Sequence, residues 1–204
     1  VKATPYYTAV DDYIDAIRCV TGAACTAANR TTTNQFVTLQ YANQSARLYG
    51  LDLSGYMPLA KSDLGQFGFK GLLNYTNGKN RDTGDDLYNI MPLNTRLTLT
   101  HNLGGWDSAI ELVSVKGKDA VSDVRNEVRT SGYSLTNLRT SYSWKQLRID
   151  FGVENLFDKA YAMPLGGAYL GQGRTMSINP PASDAMFGWG SAVPGMGRSI
   201  YMGF

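Results

Sequence analysis

One histidine and two cysteines among 204 residues leave little from which to build a catalytic or nitrogen-rich metal site. His101 stands alone beside a turn, on an expected outward or interfacial position, so neither a Ser-His-Asp triad nor a histidine cluster can be assembled. The chain does not read as an enzyme, and nothing in it calls for a resident cofactor. Charge is also scarce, at 18% Asp, Glu, Lys and Arg, against roughly 25% in soluble domains. A net charge of +2 without a Lys/Arg cluster excludes the basic stripe that nucleic-acid binding requires. No run approaches the ~20 apolar residues of a membrane-spanning helix, and mean hydropathy is only -0.24. That average does not argue against a membrane barrel, whose strands alternate lipid-facing and lumen-facing residues.

The cysteines, Cys19 and Cys25 in "RCVTGAAC", are too widely spaced for the usual two-residue metal or redox pair. A small loop disulfide is the better reading, and it would place this loop in an oxidising compartment, periplasm or exterior. The opening residues, "VKATPYYTAV", show neither a charged n-region nor an apolar h-region, so a mature fragment without a signal peptide is expected.

What the chain has in quantity is Gly (22), Tyr (13) and small polar residues, which points to an all-β class. From Leu147 to Val153 the alternation is complete: Leu147, Ile149, Phe151 and Val153 share one face, Arg148, Asp150 and Gly152 the other. The same pattern predicts strands over Ala3 to Val10, Phe36 to Met57, Phe67 to Thr76, Leu93 to Asn102, Ser108 to Lys116, Tyr133 to Trp144, Leu147 to Val153 and Arg198 to Phe204. A turn is expected from Pro58 to Gly65, and "GKDAVSDVRNEVRT" reads as a charged loop.

Short connections follow the second, fourth and sixth strands, and long ones the first, third, fifth and seventh. All long connections therefore lie at one end. Outer-membrane barrels have short periplasmic turns and longer extracellular loops, and aromatics near strand ends (Tyr6, Tyr7, Tyr56, Trp106, Tyr142, Trp144) suit their interfacial girdles. A soluble β-sandwich would need Val, Ile and Leu on inward faces that here carry small polar residues. The expected fold is an antiparallel transmembrane β-barrel segment. A stand-alone eight-stranded barrel, serving as adhesin or structural protein, is the alternative, since eight strands can close on themselves.

Four stretches, in order, carry a resemblance to a family. "GVENLFDKAY" (Gly152 to Tyr161) resembles the penultimate-strand signature of TonB-dependent outer-membrane receptors, carried by Gly152, Glu154, Asn155, Leu156, Phe157, Asp158 and Tyr161. "YANQSARLYGLDL" is similar to a long descending strand of the same barrels, with Leu51 and Asp52 where the family has Val and Glu. "MPLNTRLTL" resembles a recurring strand start, and "GRSIYMGF" the closing strand. The resemblance implies a barrel of about 22 strands with an N-terminal plug that reads the TonB protein. Residues 1–204 would be its C-terminal eight strands, without plug or TonB box. It also implies outer-membrane lipid and the TonB complex as partners, a Gram-negative outer membrane as location, and uptake of a metal or metal chelate as function.

Within the family, "MPLGGAYLGQG" together with "YNIMPLN" is similar to the copper-receptor branch. Met163, Met176, Met186 and Met196 lie in or beside the last long loop, and thioethers favour Cu(I). The plainer reading is that methionine fills irregular packing. Ferric-siderophore uptake is the rival substrate class. Asn155 and Asp158 are expected to bond backbone groups where the chain leaves the wall, with Leu156 and Phe157 packing at the rim. "RDTGDD" (81–86) lacks the full spacing of a calcium loop and reads as a solvated tip.

Overall fold

The computed structural model describes residues 1–22, 25, 38–168 and 191–204. They form one antiparallel sheet in the order β1-β2-β3-β4-β5-β6-β7-β8. The strands are β1 Lys2–Arg18, β2 Leu39–Ser62, β3 Gly65–Asn80, β4 Asn94–Leu103, β5 Trp106–Val115, β6 Tyr133–Trp144, β7 Leu147–Glu154 and β8 Ser199–Gly203. Among the described residues β1 and β8 do not pair with each other. The eight strands make an arc of wall, so the closed eight-stranded barrel is not what this chain forms.

Pairing register carries the two faces from strand to strand. Met57, Phe69, Leu99, Ile110, Leu138, Val153 and Ile200 fall opposite one another in one row. The row one residue further along β2 to β6 belongs to the other face and reads Tyr56, Lys70, Thr98, Glu111 and Asn137. On the apolar face Leu97, Leu99, Ile110, Leu112, Ile149 and Phe151 are all exposed, while Val153, at the top of β7, is buried. Exposed apolar side chains on this scale mark a surface covered by something other than water. In an outer-membrane barrel that cover is hydrocarbon.

Three short turns, 63–64, 104–105 and 145–146, lie at one end. Near them on the outer face Trp106 packs against Tyr142 at 4.8 Å, and His101 stacks on Phe67 at 4.6 Å while its Nε2 lies 2.8 Å from the Leu64 carbonyl. Higher up the same face Tyr49 meets Tyr75 edge to face at 6.4 Å, with Tyr7 opposite Tyr49. These pairs bracket the apolar band. Tyr6 and Tyr56 do not belong to either girdle. Their register, opposite Gly50 and Lys70, turns them to the polar face, where the Tyr6 hydroxyl shares a hydrogen bond with Thr76 at 2.5 Å.

Several boundaries differ from those expected. β1 runs eight residues past Val10, across a bulge where Asp12 takes φ 56°. β2 continues through Pro58, where a second bulge after Pro58 absorbs the proline. β3 reaches Asn80 and takes part of the expected loop into the sheet.

Candidate functional site

The polar face of β4 to β7 is organised around one acid. Glu111 on β5 is buried, and its carboxylate accepts from Asn137 Nδ2 at 3.0 Å and from the Arg139 guanidinium at 3.5 Å. Arg96 lies 3.6 Å away on β4, and Arg139 also reaches Glu154 on β7 at 3.8 Å. Two half-exposed guanidiniums thus share a buried carboxylate, and they keep donors on the polar face. Burying one acid requires such pairing, because an isolated carboxylate in low dielectric is costly.

Asn137 passes the network on. Its Oδ1 accepts the backbone N–H of Asn155 at 2.9 Å. Asn155, buried and at φ 49°, closes a turn with its side chain: Oδ1 accepts from Lys159 N at 2.8 Å, and Nδ2 donates to the carbonyls of Lys159 at 2.9 Å and Met196 at 3.2 Å. Asp158, at φ 52°, accepts from Arg198 N at 2.8 Å. These two side chains tie both ends of the last long connection together. Leu156 N–H still bonds Thr136 on β6 at 2.8 Å. Phe157 is 75% exposed and does not pack on the rim, because the turn closed by Asn155 throws it outward.

Gly152 and Tyr161 act through contact. A Cβ at Gly152 would lie 2.1 Å from Tyr201 Cζ, so the Tyr201 ring on β8 covers that backbone directly. Tyr161 stacks on Tyr133 at 4.3 Å and lies over Gly195. Glu154 is the acid already met beside Arg139.

Above the wall, connections 81–93 and 116–132 fold inward. Leu87 is fully buried against Gly78, a residue on the polar face, and Val121 and Val115 are buried nearby. The two connections interlock through charge. Lys118 is 1% exposed, and its Nζ lies 2.9 Å from Glu127 and donates to the Ile90 carbonyl at 2.6 Å. Glu127 also accepts from Asn89 N at 2.9 Å and Ser122 N at 2.8 Å.

The stretch read as a solvated tip is partly structural. Asp85 accepts from the Ser122 hydroxyl at 3.0 Å and from Asp123 N and Val124 N, while Asp86 pairs with Lys79 at 3.3 Å. Arg125 reaches Asp15 on β1 at 3.3 Å and lies 5.1 Å from the Tyr88 ring. No signal in the sequence separated these acids from solvated ones, because both kinds sit among Asp, Asn and Gly.

Within this cap a 130 Å³ cavity is lined by Tyr88, Arg125, Thr130 and Met163, among others. Met196 lies outside it and is exposed. Met176 and Met186 lie outside the described residues. Among the described residues no group of three or more His, Cys, Asp or Glu side chains could hold a metal ion. Cys19 and Cys25 are joined as a disulfide, with Cα atoms 5.6 Å apart. Cys19 N–H bonds the Thr38 carbonyl, which holds the base of this connection to the start of β2.

An open arc of antiparallel strands, apolar outside and polar inside, with short turns below and a folded cap above, defines a segment of an outer-membrane barrel wall. The chain belongs to the TonB-dependent receptor-like β-barrel family, whose model matches residues 1–156. It is 32% identical over 150 residues to a heme/hemopexin utilization protein C of Haemophilus influenzae, covering 69% of this chain and 20% of that protein. A homologue from another strain of that species is 30% identical over 189 residues, covering 88% of this chain and 24% of the relative. In structure it resembles the copper transporter OprC, with a TM-score of 0.72, 22% identity, 98% of this chain and 27% of that one. It also resembles a chain of the FpvAI–pyocin S2 complex, with a TM-score of 0.59, 15% identity, 98% of this chain and 23% of that one. The chain thus spans about a fifth to a quarter of these relatives. The family is one of Gram-negative outer-membrane transporters rather than enzymes.

Proposed function

We propose that residues 1–204 are the C-terminal portion of the barrel of a TonB-dependent outer-membrane receptor that imports a metal or metal chelate, with copper favoured. The plug that engages TonB belongs to the part of the protein outside this chain. The observation that carries the reading is the polar wall around Glu111 beneath an inward-folded cap, a surface built to face an aqueous passage. Copper is supported by Met163 lining the cap cavity, since a thioether suits Cu(I), and by the name of the OprC structure.

A second reading has its own support: relatives at 30–32% identity are named for heme/hemopexin utilization, and haem, like a ferric siderophore, is an iron chelate. The signature 152–161 takes a structural part here, fastening the last connection to the wall through Asn155 and Asp158.

Uptake by the full-length receptor, in cells lacking other importers, tests the substrate. Copper should accumulate in a TonB-dependent way, and Met163→Ala with Met196→Ala should reduce it severalfold. Growth on haem or a ferric siderophore, without copper accumulation, would replace copper by the iron chelate.

A further inference from the structure

The outer rim of β4 to β7 carries a feature that transport does not use. One ladder step above β5, Lys116 N–H bonds the Leu93 carbonyl at 2.9 Å, which continues the sheet and keeps Lys116 in register with Ser114, Leu112 and Ile110 on the apolar face. Beside Ser114 on the same face stands Ser134 of β6, their hydroxyls 2.8 Å apart. Thr95 of β4 lies opposite Ser114 on its other side.

Together with Lys159, from the turn that Asn155 closes, these residues line an open groove of 610 Å³. The groove sits where the outer face changes from Leu97, Leu99, Ile110 and Leu112 to hydroxyls and ammonium groups.

The two lysines differ from the other two lysines of this end. Lys79 is paired with Asp86, and Lys118 is buried with Glu127. Lys116 and Lys159 are exposed, and among the described residues neither has an ion-pair partner. The acid next to Lys159, Asp158, is engaged by Arg198 N. Two unneutralised ammonium groups and a set of hydroxyl donors, all directly above a hydrocarbon-facing band, match an anionic oxygen cluster held at headgroup height.

We propose that this groove seats the phosphate-bearing headgroup of an outer-leaflet lipid. The inference rests on the outer-membrane reading above. Lys116 and Lys159 take the phosphate oxygens, Ser114, Ser134 and Thr95 supply hydroxyls, and the acyl chains continue down over Leu97 and Leu112.

The test uses the full-length receptor in detergent micelles. Bound lipid is counted by native mass spectrometry against added bisphosphorylated outer-membrane glycolipid and against the same lipid after phosphatase treatment. Lys116→Gln/Lys159→Gln should weaken retention about 30-fold, from roughly fivefold per cation near a charged surface. Lys116→Arg/Lys159→Arg should retain the lipid, and Lys145→Gln at the opposite end should change nothing. Equal retention by the double Gln variant would overturn the proposal. So would equal retention of the dephosphorylated lipid, or full displacement by millimolar inorganic phosphate, which would make the groove a site for the free anion. Fractionation separates the two levels: a receptor absent from the outer membrane sinks both readings, whereas one inserted there with unchanged retention sinks only the lipid site.

Discussion

Phe151 and Asp150 are neighbours in β7 on opposite faces, and the wall assigns them opposite sensitivities. Phe151 is exposed on the apolar face, between Thr140 and Met202 of the adjoining strands. Placing a charge at mid-depth on such a face costs about 2–4 kcal/mol. Phe151→Arg in the full receptor should therefore lower the yield of heat-modifiable, folded barrel. Asp150 holds only the exposed guanidinium of Arg148 at 2.9 Å, and solvent screening leaves such exposed pairs with little effect on stability. Asp150→Asn should fold like the parent; equal folding of both variants would contradict the assignment of faces.

Gly152 gives a second test at this scale. With Tyr201 Cζ 2.1 Å from where a Cβ would stand, Gly152→Ala must displace the ring or part β7 from β8. Overpacking of this kind costs about 1–3 kcal/mol. The urea midpoint of the folded barrel should fall, and Tyr201→Ala combined with Gly152→Ala should recover part of the loss. A double variant no better than Gly152→Ala alone would show that the ring is not what excludes the side chain.

Among the elements, the strands were legible because their period is 2 and the membrane demands that period without exception. Leu147 to Val153 announced its faces from the sequence, and β6 begins and ends where the pattern placed it. Where the pattern lapsed, so did the reading. Asp11 and Asp12 interrupt the alternation of β1, and the strand survives them by bulging rather than stopping. The inward cap was illegible for a different reason. Lys118, Glu127 and Asp85 occur in segments as polar as any solvated loop, and only tertiary contacts distinguish a buried ion pair from an exposed one.

That ion pair makes the cap testable as a unit. Lys118→Met leaves Glu127 buried without its cation, and breaking a buried pair costs about 3–5 kcal/mol. Amide exchange of residues 85–90 and 118–130 should accelerate strongly while exchange in β4 to β6 stays slow. Adding Glu127→Gln, which keeps an acceptor for Asn89 N or Ser122 N but removes the charge, should restore part of the protection. If Lys118→Met left the cap as protected as before, the pair would not be what holds it.

For the whole molecule the decisive property is that the arc is open. Backbone donors and acceptors on the outer edges of β1 and β8 have no strand beside them among the described residues. Lipid does not accept such edges, and water exposes them to other chains. Residues 1–204 refolded alone in detergent should aggregate or pair edge to edge, which light scattering would detect. The same segment within a complete barrel should be monomeric. A monodisperse, heat-modifiable eight-stranded product would return the stand-alone barrel to consideration.

Strand length also falls across the arc, from 24 residues in β2 to 8 in β7. At about 3.3 Å per residue β2 is roughly 80 Å long. Even at a 45° tilt it rises about twice the height of a 25 Å hydrocarbon band, whereas β7 at the same tilt falls short of it. The upper edge of this wall is therefore a sloping sill, high at β1 and β2 and low where the last connection leaves. A bulky visitor arriving from outside would meet a palisade on one flank and a doorstep on the other. Antibodies raised against the upper halves of β1 and β2 should label intact cells in flow cytometry, whereas antibodies against the 145–146 turn should not.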